Sequence, residues 1–192
     1  MTGNTHNGGD WRSSGWRLAV WGTAAFLLLL PLVAMQFTNE VTWGPGDFIT
    51  FGAMLAVACG TYELAARMTR NKAYRCAVGV AVAAAFLLVW INLAVGIIGS
   101  EGNPANLMYG GVLAVGIIGA IIARFRPQGM ARALAATALA QALVAVIALL
   151  VGWEDPWNGP LEILALNGFF VALFAGSAWL FRRAAYGRHE RA

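Results

Sequence analysis

Apolar residues run through this chain in long charge-free blocks separated by short polar segments. Leu18 to Asn39 carries no charge over 22 residues, Cys76 to Ser100 none over 25, and Gly102 to Ala123 none over 22. Ala133 to Trp153 and Ile163 to Phe181 are likewise uncharged, and Phe48 to Ala66 holds one charge, Glu63. About 20 residues of helix cross the hydrocarbon core of a bilayer, so each block predicts a membrane-spanning helix. The expected spans lie near 17–35, 47–67, 75–99, 105–124, 132–152 and 161–182. The pattern predicts an all-α polytopic transmembrane bundle over 16–183, with cytoplasmic tails at 1–15, taken as flexible, and 184–192.

Charge sorting orients these spans. Arg12 and Arg17 precede the first, Arg67, Arg70, Lys72 and Arg75 follow the second, and Arg124, Arg126 and Arg132 follow the fourth. Arg182, Arg183, Arg188 and Arg191 close the chain, and together these are all 13 basic residues. The three intervening loops hold only acids: Glu40, Asp47, Glu101, Glu154, Asp155 and Glu162. Basic loops stay cytoplasmic, so both termini are expected inside. The pI near 9.6 then reflects topogenic and lipid-facing arginines rather than a nucleic-acid patch. Trp16, Trp21, Trp43, Trp153, Trp157 and Trp179 fall near the expected interfaces, as an aromatic belt requires.

Composition agrees. Hydrophobic residues make up 59% and charged ones 11%, against about 25% charged in a soluble domain. So few charges cannot cover a water-exposed surface of this length. Arginine far outnumbers lysine and alanine is abundant, which points to a bacterial inner-membrane protein from a GC-rich genome. Arg12, Arg17, the first apolar run and Pro31-Leu32-Val33-Ala34 have the outline of a signal peptide. The run is long and the cleavage site poor, so a retained span is expected.

The three acidic loops are short and place Gly and Pro ahead of the next helix, which suggests three helical hairpins and a triplicated unit. Phe51-Gly52 with Leu55-Ala56-Val57 matches Tyr109-Gly110 with Leu113-Ala114-Val115. The heptad Leu93-Ala94-Val95-Gly96-Ile97-Ile98-Gly99 recurs as Leu113 to Gly119. Glycines at such spacing let helix backbones approach in lipid. Close packing of spans 3 and 4 is the expected meaning, and a glycine-lined permeation path the alternative.

Candidate chemistry is sparse. His6 and His189 lie in the expected tails and Lys72 in a loop. Haem, copper or zinc centres and Schiff-base chemistry therefore find no ligand at depth apart from Cys59. Cys59 and Cys76 form no metal spacing. No catalytic set is evident, and neither enzymatic activity nor a cofactor is expected. Asn103-Pro104-Ala105 occurs once, unlike the paired triplets of aquaporins, and reads as a helix start, as do Asp47 and Glu162. Glu63 is the one acid inside a span, with Arg67 at i+4 as the expected ion-pair partner. Asn92, Gln141 and Asn167 are the deepest amides, suited to interhelical hydrogen bonds. Glu63, Asn92, Glu101, Asn103, Asn106, Gln141 and Asn167 are the candidate functional residues.

The run from Trp90-Ile91-Asn92 to Gly99-Ser100-Glu101-Gly102-Asn103-Pro104-Ala105-Asn106, with Phe37-Thr38-Asn39-Glu40-Val41 and Tyr62-Glu63-Leu64, resembles small six-span inner-membrane proteins of bacteria. That group carries no assigned activity, so the resemblance implies an architecture and no site. The plan is also loosely similar to acid-resistance membrane proteins, in architecture alone. The expected function is a non-enzymatic accessory, assembly or stress-related membrane component, in a homo-oligomer or a larger complex. The alternative is a small oligomeric transporter or channel for an ion or polar solute.

Overall fold

The computed structural model describes residues 10–100, 102–152 and 159–189. They form six long helices: α1 (Asp10–Ala34), α2 (Pro45–Met68), α3 (Lys72–Ala94), α4 (Met108–Ile122), α5 (Pro127–Val151) and α6 (Pro160–His189). A 3-10 turn, Pro104–Leu107, leads into α4. With that turn counted into α4, six segments are long and apolar enough to cross a membrane. Helices α1 and α6 extend into the stretches expected as tails. The chain divides into two compact units, Met1–Leu64 and Ala65–Ala192.

In the first unit, α1 and α2 run in opposite directions. Trp16 meets Tyr62 edge to face at 6.0 Å, and the Leu28 side chain reaches Gly52. Trp43, just ahead of α2, packs edge-on against Phe48 and Phe51. Contact between the helices is thin, and α1 leaves Leu18, Phe26 and Leu29 exposed. Exposed apolar side chains are what a helix facing lipid requires.

In the second unit α5 is the central helix, lying against α4 and α6, while α6 also packs on α3. Alanines 131, 133, 138, 145 and 148 give α5 short side chains toward its neighbours, all of them buried. The α3–α6 register is fixed by three contacts. Asn71 Nδ2 donates to the Ala184 carbonyl, the Tyr74 ring meets Phe181 at 5.1 Å, and Ser177 Oγ donates to the Ala77 carbonyl. Tyr74 also donates its hydroxyl to the Phe125 carbonyl. Arg124 and Phe125 there adopt left-handed backbone, φ 48° and 57°. These ties gather the 70–75, 124–126 and 182–183 basic residues at one end of the unit.

The repeated heptad behaves differently from expectation. Helices α3 and α4 meet at few positions, so the predicted close packing of spans 3 and 4 is not what its glycines serve. In α4, Gly119 lies against Ala133 and Gly116 against Thr137, both of α5. A Cβ on Gly119 would stand 2.7 Å from the Ala133 Cβ. The glycines bring α4 onto α5 instead.

In the first copy the helix stops at Ala94, five residues short of the expected end at 99. Gly96 and Gly99 take left-handed backbone, φ 74° and 65°. Asn106 supplies what the lost helix would have given. Its Oδ1 accepts from the Ile97 and Ile98 amides at 3.1 and 3.0 Å. Its Nδ2 donates to the Ser100 and Ile98 carbonyls at 2.9 and 3.3 Å. Ile97 and Ile98 are 0% exposed, whereas Ile117 and Ile118, the same residues in the α4 copy, are 62% and 56% exposed. The Gly-Ile-Ile-Gly end of the heptad thus serves as a turn with buried isoleucines once and as an exposed helical face once.

The starts of α2, the 3-10 turn and α6 share one construction. Gly44-Pro45-Gly46-Asp47, Asn103-Pro104-Ala105-Asn106 and Gly159-Pro160-Leu161-Glu162 each bond the fourth residue's N–H to the first residue's carbonyl, at 3.1, 3.0 and 3.1 Å. Asp47 and Glu162 also accept from the Gly44 and Gly159 amides, half of a capping box. Asn106 occupies the same position but turns its side chain to the 97–100 segment.

Asn106→Ala leaves two amides of fully buried residues without acceptors and is expected to destabilise the protein by about 2–4 kcal/mol. Asn103→Ala, which removes one cap bond to the Ala105 amide, should cost about 1 kcal/mol. Reversible unfolding in bicelles measures both, and equal costs would refute the clamp. Gly119→Ala should lose about 1–3 kcal/mol to overpacking. Gly110→Ala, where a Cβ meets nothing within 4 Å, should be neutral or gain up to ~1 kcal/mol in helix propensity.

Candidate functional site

Each unit holds a polar centre. In the second unit, Tyr109 of α4, Gln141 of α5 and Asn167 of α6 converge. Tyr109 donates its hydroxyl to Asn167 Oδ1 at 3.1 Å, and Gln141 Nε2 donates to the same oxygen at 2.9 Å. Asn167 Nδ2 donates to the Ile163 carbonyl one turn back, at 2.8 Å. Exposure is 2%, 0% and 1% for the three side chains, so water does not compete for these bonds. Asn167 lies about 10 Å along α6 from its start at Pro160.

The cluster is neutral and ties α4, α5 and α6 at one depth. One acceptor is left over: Gln141 Oε1 is buried and receives no hydrogen bond among the described residues. Asn92 on α3 resembles it. Its Nδ2 donates to the Leu88 carbonyl in its own helix, and its Oδ1 is buried without a partner among the described residues.

In the first unit the centre is Glu63, 7% exposed within α2. Arg17 of α1 places a guanidinium nitrogen 2.7 Å from one carboxylate oxygen. Trp21, one turn further along α1, donates its indole N–H to the other at 2.9 Å. A carboxylate in an apolar setting is costly unless paired and hydrogen-bonded, and Glu63 has both. The pair joins α1 to α2.

The seven candidate residues therefore separate. Gln141 and Asn167 come together, Asn103 caps the 3-10 turn, Asn106 clamps the preceding turn, and Asn92 bonds within α3. Glu101 lies outside the described residues. Sequence reasoning did not pick out Arg17, Trp21 or Tyr109 as partners in these centres. Arg17 read as a topogenic charge, Trp21 as a belt aromatic and Tyr109 as half of a repeat. Only the rotation of each helix about its axis turns Tyr109 inward and brings Arg17 and Trp21 to Glu63, and no spacing in the sequence records that rotation. Among the described residues no three His, Cys, Asp or Glu are placed to hold a metal ion.

Six apolar spans and polar groups paired between helices define the class: a polytopic helical membrane protein. No family model, curated protein or solved structure matches the chain.

Asn167→Ala leaves the Tyr109 hydroxyl and Gln141 Nε2 unpaired and is expected to cost about 2–4 kcal/mol. Gln141→Met removes one bond but also the orphan oxygen, so it should cost under about 1 kcal/mol. The ranking is read from unfolding of the two variants in bicelles. A Gln141→Met cost equal to that of Asn167→Ala would show that Oε1 has a partner.

Proposed function

We propose that this protein is a non-enzymatic component of a bacterial inner membrane that acts through helix contacts, as an accessory, assembly or stress-related factor. The observation that carries this reading is the use made of the polar side chains within the helices. Glu63, Asn167 and Gln141 are each spent on bonds between helices of the chain itself. The thin contact between α1 and α2 adds to it, since a loosely packed pair has apolar surface to offer a partner helix. In this reading both termini lie in the cytoplasm and the spans form three hairpins. The sorting of charges along the chain supports that orientation, as does the gathering of the second unit's basic residues at one end.

One observation favours a second reading, a small oligomeric transporter or channel. The two buried oxygens, Asn92 Oδ1 and Gln141 Oε1, have acceptor capacity that a polar solute would use.

Extraction from native membranes in a mild detergent, followed by mass spectrometry of what co-purifies, tests the first reading. A reproducible stoichiometric membrane partner is the expected result, and recovery of this chain alone would overturn it. Proteoliposome flux that falls on Glu63→Gln or Asn92→Ala would establish the second. For topology, a C-terminal green fluorescent protein fusion should fluoresce and a C-terminal alkaline phosphatase fusion should be inactive. The reverse pattern overturns the orientation.

A further inference from the structure

Between α1 and α2 lies an open apolar crevice of about 350 Å³. Val20, Thr23, Ala24 and Leu27 line it from α1, and Leu55 and Cys59 from α2. Its origin is steric. Ala24 and Leu55 are buried at its base, and the short side chains of Ala19 and Thr23 beside them leave it open. Beyond these residues Leu28 reaches Gly52 at one end, and the long side chains of Arg17, Trp21 and Glu63 bridge the helices at the other. An empty crevice facing hydrocarbon forfeits the dispersion contacts of its lining atoms. A flexible apolar chain recovers them.

The polar end of the crevice supplies the second requirement. Cys59 lines the crevice and Glu63 lies one helical turn beyond it, so the Arg17–Glu63–Trp21 group closes that end. The Arg17 side chain is 49% exposed. Its ion pair with Glu63 engages part of a guanidinium that carries five N–H donors in a planar fork suited to phosphate. Arg17 also belongs to the basic side of the charge pattern, where a cytoplasmic leaflet presents anionic head groups.

We propose that the α1–α2 crevice is a binding site for one anionic phospholipid, with an acyl chain lying over Ala24 and Leu55 and the phosphate on Arg17. This rests on the proposed orientation, in which the start of α1 faces the cytoplasm. The site holds the first unit together through the lipid, where direct helix contact is thin.

The test is native mass spectrometry of the delipidated full-length protein, titrated with phosphatidylglycerol or with phosphatidylcholine of the same acyl chains. One phosphatidylglycerol should be retained in preference to phosphatidylcholine by about fivefold, the worth of one basic residue at an anionic surface. Arg17→Gln should abolish the preference, and Arg17→Lys should keep most of it. Thr23→Phe, which fills the crevice from its open side, should lower retention of both lipids. Glu63→Gln frees the guanidinium and should raise the preference, an effect that a purely structural Arg17 would not produce.

Equal retention of the two lipids by the wild-type chain overturns the proposal. So does retention unchanged in Thr23→Phe, or a dimer that excludes lipid and places a second copy in the crevice. The topology fusions are read on the same variants. No selectivity in the wild-type chain with its fusion fluorescent sinks the lipid site alone, whereas inverted fusions sink the orientation on which it rests.

Discussion

In hydrocarbon there is no water to satisfy a polar group, so each backbone N–H and C=O at depth must find its partner within the protein. Six helices meet most of that demand through their own ladders. The critical place is where a ladder stops early. Helix α3 ends at Ala94, yet the chain that follows keeps Ile97 and Ile98 fully buried. Their amides would be orphaned there without Asn106, whose carboxamide has two acceptor sites and two donors and uses all of them on residues 97–100. A hydrophobic residue at 106 would take from the Ile97 and Ile98 amides the acceptor that Asn106 gives them. An acid would offer acceptors but no donor for the Ser100 carbonyl.

The same constraint governs the side chains. An amide or carboxylate in a membrane helix is tolerated when it bonds to something, and the partners it finds decide which helices are neighbours. Asn167 collects bonds from Tyr109 and Gln141 and so draws α4 and α5 to α6 at one depth. Glu63 draws Arg17 and Trp21 and fixes α1 beside α2. Between these points, packing is set by size. Gly116 and Gly119 let α4 approach the alanine-rich α5, while the short side chains of Ala19 and Thr23 on α1 leave a crevice open.

Much of the architecture is legible in the order of residues alone. Charge-free runs locate six helices, and the start signals at Pro45 and Pro160 agree with the helix starts. Asn103-Pro104 begins a 3-10 turn four residues ahead of α4. Gln141 and Asn167 are recognisable as deep amides, though not as partners, and Tyr109 gives no sign of joining them. Asn103 is legible as a cap because capping is local, decided within three residues. Asn106 is a candidate whose role stays hidden, because its partners lie up to nine residues back in a segment that sequence alone reads as helix.

The heptad repeated at 93–99 and 113–119 separates the two kinds of information most cleanly. Composition and hydropathy depend on the residues themselves, so the chain alone determined that both copies belong to apolar, membrane-crossing blocks. Conformation depends on what lies across the gap. One copy leaves the helix after Ala94 and turns against Asn106, with Gly96 and Gly99 at positive φ. The other faces Ala133 and Thr137 and remains helical. A glycine-rich apolar segment has little intrinsic preference to resist either environment, so its partner makes the choice. Tertiary structure also decided which helix each glycine approaches, which arginine meets Glu63, and where the bundle leaves room.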